Sequence, residues 1–532
     1  MVAFSSLLDF ESSDKESFND YAYQWWRQHH GFSSKSVNGD SYNLYHDFIT
    51  RFLHNEDAGI LFQTSAGIEK YTPRQIDLLV ETLCRAWVSQ SVISGKVILI
   101  VVDTTLRRYV SLLAALRLGL VISLLDSKAP LVIQDAINSL NPDFISIESK
   151  LVDSAFAERV LKISGNFEPI TIPIESYAFG SPVFYLLDSF SPRESSIKVM
   201  SVERFFSGMI RDAHFILGLK PGYTLCTGDM EKSLASPLLE LACLFAGAKL
   251  HLIETDWLVN HPNGVFESQA QVVSISARLR DLLLENSTAI MSPSRIERWF
   301  RSANEVLNFT DWQAFINQCG LENVPHADIF FNAALGGIIA CSDWKTDMFN
   351  LLLSPVVGQT WYKGDIANPT IETMQEFGRY CLKVDERLDI TPIVISQHQS
   401  QMKYLGFYPP GRQGLTYPTQ LVLDAIKIVA AWHVCVEVPI GVGENRVHYI
   451  LLAFCDHRSS DELRAIIEKK IGAEAIPDKI LNLDFIPRLT STGTPNIAWC
   501  QQMFMGGEFQ RRLNHPFYKL INQLRNEIVA KS

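Results

Sequence analysis

The chain has 532 residues, 47% of them hydrophobic and 20% charged, which is too long for one ordinary core and fits a well-packed soluble protein of two to four domains or subdomains. Its net charge is -11, and acids and bases alternate without a Lys/Arg-rich stripe, so neither nucleic acid nor an anionic membrane is expected as the main partner. Nine scattered cysteines, with no CxxC pair and no His at zinc-finger spacing, read as small core hydrophobes in a reducing compartment.

In chain order, the N-terminus lacks a basic start and carries acids early, unlike a signal peptide. Residues 1–45 form an extension in which Trp25, Trp26, His29 and His30 suit a helix docking on the protein's own body. From Ile76 to Val88 apolar residues recur at helical spacing. Gly95 breaks the chain before Val97–Val102, a β-branched run that suits a strand covered on both faces. A helix over Leu106–Leu118, a strand over Leu120–Leu125, a helix over Ile133–Leu140 and a strand over Phe144–Ile147 follow, giving a doubly wound α/β pattern. A further strand is expected at Val183–Leu187. A buried helix and strand are expected over Ser236–Leu252, with Ser236 as N-cap and Pro237 at the first helical position.

Near the end the pattern changes to a compact α+β unit. A helix over Leu421–Ala431 precedes strands at Val434–Pro439 and Val447–Phe454. Ser459 and Glu462 make a capping box, and a strand near Ile480–Phe485 leads to a helical tail. The expected organisation is an extension (1–45), a large α/β domain (46–396), a small α+β domain (397–505) and a tail (506–532). No apolar run approaches the roughly 20 residues of a membrane span, and a cytoplasmic protein is expected.

In this order the segments resemble the adenylate-forming superfamily of acyl-CoA synthetases and nonribosomal adenylation domains. Tyr71-Thr72-Pro73-Arg74-Gln75, Gly95-Lys96-Val97, Leu116-Arg117-Leu118-Gly119 and Leu124-Leu125-Asp126 resemble its N-terminal signatures. Leu219-Lys220-Pro221-Gly222-Tyr223 and Ala246-Gly247-Ala248 resemble two later steps. Gln401-Met402-Lys403-Tyr404-Leu405-Gly406, Tyr417-Pro418-Thr419 and Ile486-Pro487-Arg488 through Gly493-Thr494 resemble its closing motifs. The resemblance spans about residues 45–505 and is weakest over 255–395. It implies a large N-terminal domain of doubly wound α/β subdomains and a small C-terminal α+β domain.

It also implies a chemistry: a carboxylate attacks the ATP α-phosphate, and a thiol of coenzyme A or of a carrier protein's phosphopantetheine then takes the acyl group. The first step needs aimed donors and Mg²⁺ to hold accumulating negative charge. The family's Gly/Ser/Thr/Lys phosphate loop corresponds to Asp188–Met200 here, which holds no glycine. Its amides therefore cannot cheaply adopt the positive φ that closes backbone around a phosphate. Ser189, Ser191, Arg193, Ser195 and Lys198 are the candidate anion contacts, while Asp188 and Glu194 add like charge. The expected terminal lysine is replaced by Thr494, a loss that typically costs about 10²–10³ in rate.

Other stations depart as well. The Y-G-x-T-E motif has only fragments, in Ala334-Leu335-Gly336-Gly337 and in Glu376-Phe377-Gly378-Arg379. The ribose acid corresponds to Asp385, which reads equally as an exposed loop acid. The G-R pair before the hinge falls at Ser396-Gln397-His398. No catalytic residue and no metal ligand is assigned. Three readings stand: a degenerate ligase serving as a binding or scaffold partner of an acyl group, a carrier protein or another subunit; a divergent AMP-forming carboxylate–thiol ligase using ATP, Mg²⁺ and coenzyme A or phosphopantetheine; or acyl transfer from an activated thioester.

Overall fold

A computed structural model describes residues 41–515 except 102–104, 126–129, 148–153, 163–171, 173, 179, 188–196, 229–234, 268, 286–294, 304–308, 333–335, 347–352, 357–359, 366–367, 369–370, 373–376, 385–386, 399–400, 408–416, 418, 428–431, 441–445 and 490–494. The aromatic cluster expected on an N-terminal helix lies outside the described residues. The chain forms a large unit, mostly 1–408, and a small unit whose main body is Pro409–Ser532.

The large unit begins with strand β1 (Ser41–Tyr42), helix α1 (Leu44–Phe48) and a hairpin of β2 (Gly59–Thr64) and β3 (Gly67–Tyr71). Helix α2 (Pro73–Val88) starts where the sequence dictates. The Thr72 side chain accepts from Gln75 N–H, Gln75 caps Thr72 N–H in return, and Pro73 occupies the first position, where its missing N–H costs nothing. Then come β4 (Val97–Ile100), α3 (Thr105–Arg117), β5 (Val121–Leu124), α4 (Pro130–Leu140), β6 (Phe144–Ser146), β7 (Tyr177–Ala178), β8 (Pro182–Leu187), β9 (Ile197–Ser201) and α5 (Val202–Ile210). A five-stranded sheet has the order β6-β4-β5-β8-β9, parallel except for β9. Ile98, Leu99 and Ile100 are all buried, as a strand covered on both faces requires.

The second sheet is built from β10 (Thr224–Cys226), α6 (Ala235–Phe245), β11 (Lys249–Ile253), α7 (Thr255–Asn260), α8 (Gly264–Glu267), β12 (Val272–Ser274), α9 (Ala277–Glu285), β13 (Arg298–Ser302), α10 (Phe309–Cys319), β14 (His326–Asn332), β15 (Gly337–Cys341) and β16 (Ser354–Pro355). Its nine strands run β16-β15-β14-β13-β12-β10-β11-β2-β3, with the six from β14 to β2 parallel. Helix α6 begins at Ala235, so Ser236 and Pro237 sit inside its first turn rather than at the cap and first position. The proline is tolerated there because first-turn amides have no intrahelical acceptor. Helix α1 joins the helical layers of the two sheets: the Phe48 ring packs at a tilt against Phe205 of α5 and Phe245 of α6, while the Tyr45 hydroxyl and Arg117 both bond Asp77 of α2.

A third sheet, β17 (Thr360–Gly364), β18 (Phe377–Val384), β19 (Arg387–His398) and β20 (Gln401–Phe407), is wholly antiparallel and completes the large unit. The small unit contains α11 (Thr419–Ile426), β21 (Trp432–Ile440), β22 (Arg446–Phe454), α12 (Ser460–Lys470), β23 (Lys479–Leu483), α13 (Ile497–Met505) and α14 (Glu508–Asn514). Strand β22 pairs antiparallel with β21 and parallel with β23. Ser459 and Glu462 form the expected capping box on α12. Tyr417 stacks on Tyr449, with centroids 3.8 Å apart, and donates its hydroxyl to Ala475 O, which ties the start of this unit to its core. All nine cysteines are free and eight are buried, so they are core hydrophobes.

Candidate functional site

The phosphate-loop segment is placed by its two flanking strands. Leu187 of β8 pairs with Ile197 of β9, so residues 188–196 connect two antiparallel strands that have already met in register. Ser189, Ser191, Arg193 and Ser195 lie outside the described residues. Lys198 is opposite Leu186 on β9. Ile197 and Val199, its neighbours, are exposed, whereas Met200 is buried. Strand alternation therefore puts Lys198 on the Met200 side of the ladder, at the root of the loop. Ser201 then caps α5 by accepting from Arg204 N–H at 3.3 Å.

The middle region shows why its glycines are there. Helix α5 runs into a π-helical turn, Arg211–Ile216, which carries a buried ion pair. Arg211 Nε donates to Asp212 Oδ1 at 2.8 Å, and Arg211 Nη2 donates to Gly336 O at 2.8 Å. Asp212 Oδ2 accepts from Ile338 N–H at 3.0 Å. Burial pushes the Asp212 carboxyl up, against the pull of Arg211 and the Ile338 amide. Gly337 has φ 118°, and a Cβ on it would overlap Asp212 Oδ2. A Cβ on Gly208 of α5 would come within 2.6 Å of Gly336 O. The Gly336-Gly337 turn is thus explained by the close approach of this ion pair.

The strand after the turn bears on the expected Y-G-x-T-E fragment. If Gly336 is the glycine of Y-G-x-T-E, the hydroxyl and carboxylate positions are Ile338 and Ile339. If Gly337 is, they are Ile339 and Ala340. All three are 0% exposed, and β15 carries them into the apolar core. Neither register supplies a hydroxyl or a carboxylate. The alternative fragment is no better placed, since Gly378 and Arg379 sit within β18, paired to Ile395 and Val394 of β19. Asp385 falls in the two-residue connection between the paired Val384 and Arg387, outside the described residues.

The stations near the C-terminus are strand positions and a short connection. Ser396, Gln397 and His398 pair with Lys403, Met402 and Gln401, so the G-R equivalent and Lys403 face each other across one hairpin. Met402 also exchanges backbone bonds with Leu353, at 2.7 and 2.8 Å. Thr494 lies outside the described residues, in a connection closed by the Leu489–Pro495 bridge and by Asn496 N–H donating to Arg488 O at 2.8 Å.

The sheet order marks one further place. The chain runs β10, β11, β12, but β10 lies between the other two, so the winding reverses at β10 and β12. Open α/β sheets bind ligands at the carboxyl ends of strands beside such a reversal. There Thr227 Oγ1 donates to Glu240 Oε1 of α6 at 2.7 Å. Burial pushes Glu240 up to about 7 although Arg108 opposes it. The crevice itself is tight: a Cβ on Gly228 would sit 3.0 Å from Ser274 O, and Ser276 Oγ is used to cap α9 at Leu279 N–H. On β11, His251 Nε2 meets Gln63 Oε1 at 3.0 Å, Gln63 donates to Glu267 at 3.0 Å, and burial pulls His251 down to about 4. Sequence reasoning passed over both groups. The signal for Glu240 was an acid inside the apolar run Leu238-Leu239-Glu240-Leu241-Ala242.

Among the described residues no group of three His, Cys, Asp or Glu could hold a metal ion, and no helix is long and apolar enough to cross a membrane. No family profile and no curated protein sequence matches the chain. Solved structures do. The chain is similar to NpsA-ThdA, an artificially fused adenylation–PCP di-domain from Klebsiella oxytoca, at 14% identity and TM-score 0.63, covering 82% of this chain and 92% of that one. It is similar to the amide bond synthetase McbA from Marinactinospora thermotolerans at 12% identity and TM-score 0.65, covering 87% and 100%. It is similar to a fatty acyl-adenylate ligase from L. pneumophila at 11% identity and TM-score 0.65, covering 87% and 96%. At these identities the likeness is one of fold.

Proposed function

We propose that this chain, which has the adenylate-forming fold, no longer activates carboxylates with ATP and serves as a binding or scaffold partner of an acyl group, a carrier protein or another subunit. One observation carries the reading. The Gly336-Gly337 turn, taken as the counterpart of Y-G-x-T-E, packs on the Arg211–Asp212 pair and leads directly into Ile338, Ile339 and Ala340, all in the core. A carboxylate cannot be restored there by a rotamer change; the strand would have to leave the core. The glycine-free loop between Leu187 and Ile197 and the replacement of the closing lysine by Thr494 point the same way. Removing several aimed donors at once costs more than removing any one, though not additively.

The likeness to an adenylation–PCP fusion supports a carrier protein among the candidate partners. The test is pyrophosphate release with Mg-ATP across a panel of fatty, aryl and amino acids, together with calorimetric ATP titration. The expected result is background release and no heat of binding; sustained turnover with any acid ends the proposal. A second reading, a divergent AMP-forming ligase, is favoured by the place of Lys198 at the root of the loop. It requires tight Mg-ATP binding that Lys198→Ala abolishes. Acyl transfer from a preformed thioester would instead leave an acyl mass on the protein or a carrier after incubation with acyl-CoA.

A further inference from the structure

We infer that the nine-stranded sheet carries an acid-operated latch near its β3 edge: a proton added to buried His251 finds no acceptor, so helices α7 and α8 part from β11 to admit it. The bonds fix the resting state of the ring. Gln63 Nε2 donates to Glu267 Oε2 of α8 at 3.0 Å, because a carboxylate only accepts. That leaves Gln63 Oε1 facing His251 Nε2, also at 3.0 Å. The amide oxygen accepts too, so Nε2 carries the hydrogen and the neutral ring keeps a lone pair on Nδ1. The residue is 0% exposed, and Nδ1 meets no hydrogen-bond partner among the described residues. A second proton there would be a buried donor and a buried charge, both unmatched.

The register shows what covers the ring. His251 lies opposite Cys226 of β10 and Leu61 of β2. Cys226 and Ile253 share one apolar cluster with Leu258 of α7 and Val265 and Phe266 of α8, whereas Leu250 and Leu252 belong to the cluster on the other face. Alternation therefore points His251 toward α7 and α8. The two helices form one cover: Glu254 N–H donates to Gln63 O at 2.9 Å where α7 begins, and a Cβ on Gly264 of α8 would overlap the Trp257 ring of α7. The charged groups on this side are engaged or turned outward. Lys249, on the same face of β11, bonds Asp57 at 3.1 Å; Glu254, Glu267, His261 and Arg278 are exposed; Arg280 of α9 pairs with Asp281 and Asp311. Burial accordingly pulls His251 down to about 4. A base lowered on folding contributes stability that is fully present above its ordinary value and is lost as pH falls.

The experiment follows hydrogen exchange in the full chain at pH 7.5 and pH 5.5, corrected for intrinsic rates, for wild type and for His251→Gln. The glutamine keeps a donor for Gln63 and takes up no proton in this range. With the ring at its ordinary 6.5 when open and near 4 when closed, the opening constant of the β11, α7 and α8 amides should rise about tenfold at the lower pH. The variant should show no such rise. A flat wild-type profile overturns the inference, and so does an equal rise in His251→Gln. Where the substitution itself unfolds this edge, ring-nitrogen NMR of the wild type supplies the test. At pH 7.5 the His251 ring should be protonated at Nε2 and bare at Nδ1. The opposite tautomer ends the proposal, as does a ring that takes up its second proton near pH 6.5 while these amides stay closed.

Discussion

Replacing Glu240 with glutamine tests whether the buried carboxyl at the winding reversal is held neutral by its surroundings. In the folded chain Glu240 is pushed up to about 7 from an ordinary 4.5. A group raised on folding contributes stability that is fully present below its unfolded value and is lost as pH rises through its folded value. Between pH 5 and pH 8 the folded state therefore loses about 2.5 kcal/mol relative to a side chain that never ionises. The glutamine side chain would keep the acceptor for the Thr227 hydroxyl, now at 2.7 Å, and cannot ionise. Two-state unfolding is unsafe for a chain of two units, so the readout is the hydrogen-exchange opening free energy of α6 amides at the two pH values, corrected for intrinsic exchange rates. The wild type should lose about 2.5 kcal/mol more than Glu240→Gln across that range. Asp47, also pushed up to about 7 by burial, and His251, pulled down to about 4, are common to both proteins and cancel. Parallel pH profiles for the two proteins would falsify the burial argument.

The remaining expectations are simpler. Gly337→Ala combines a left-handed φ with overlap on Asp212, and should lower the thermal midpoint of the large unit by the equivalent of about 3 kcal/mol; a midpoint within about one degree of wild type would show the turn to be slack. In the small unit, Asp456 accepts from Arg458 at 2.6 Å and meets His433 Nε2 at 2.6 Å, while Arg458 also holds Ile426 O of α11. Arg458→Met should destabilise that unit by about 2 kcal/mol, read as faster amide exchange in α11, because it removes the guanidinium bonds to Asp456 and Ile426 O and leaves the carboxylate only His433 and the residue-458 amide. Ser459→Ala should cost about 1 kcal/mol through loss of the α12 capping box, measured as amide exchange in its first turn. Thr494→Lys restores the closing ammonium but leaves the loop and Ile339 unchanged, so pyrophosphate release should stay at background; recovery of turnover would mean that the lysine alone was missing.

The architecture was legible because local patterns and tertiary packing agree in both units. The Ser459–Glu462 cap formed as expected, and the run expected at Val97–Val102 became a strand over Val97–Ile100, since each is decided by neighbours a few residues away. The start of α6 was misplaced by the same local logic, because Ser236 and Pro237 fit a first turn nearly as well as a cap. The sequence also shows that Asp188–Met200 holds no glycine and that Thr494 follows Gly493, since composition needs no geometry.

It could not state what its glycines were for. Gly336-Gly337 reads as the remnant of a ligand motif until Arg211 and Asp212, some 125 residues earlier, are brought up behind it. Nor could it pair Thr227 with Glu240, because that bond depends on α6 folding back over the carboxyl end of β10. Sequence determines which groups a chain owns and which short segments they shape; distant backbone brought into contact decides which of those groups are buried, and burial sets both their charge and their use.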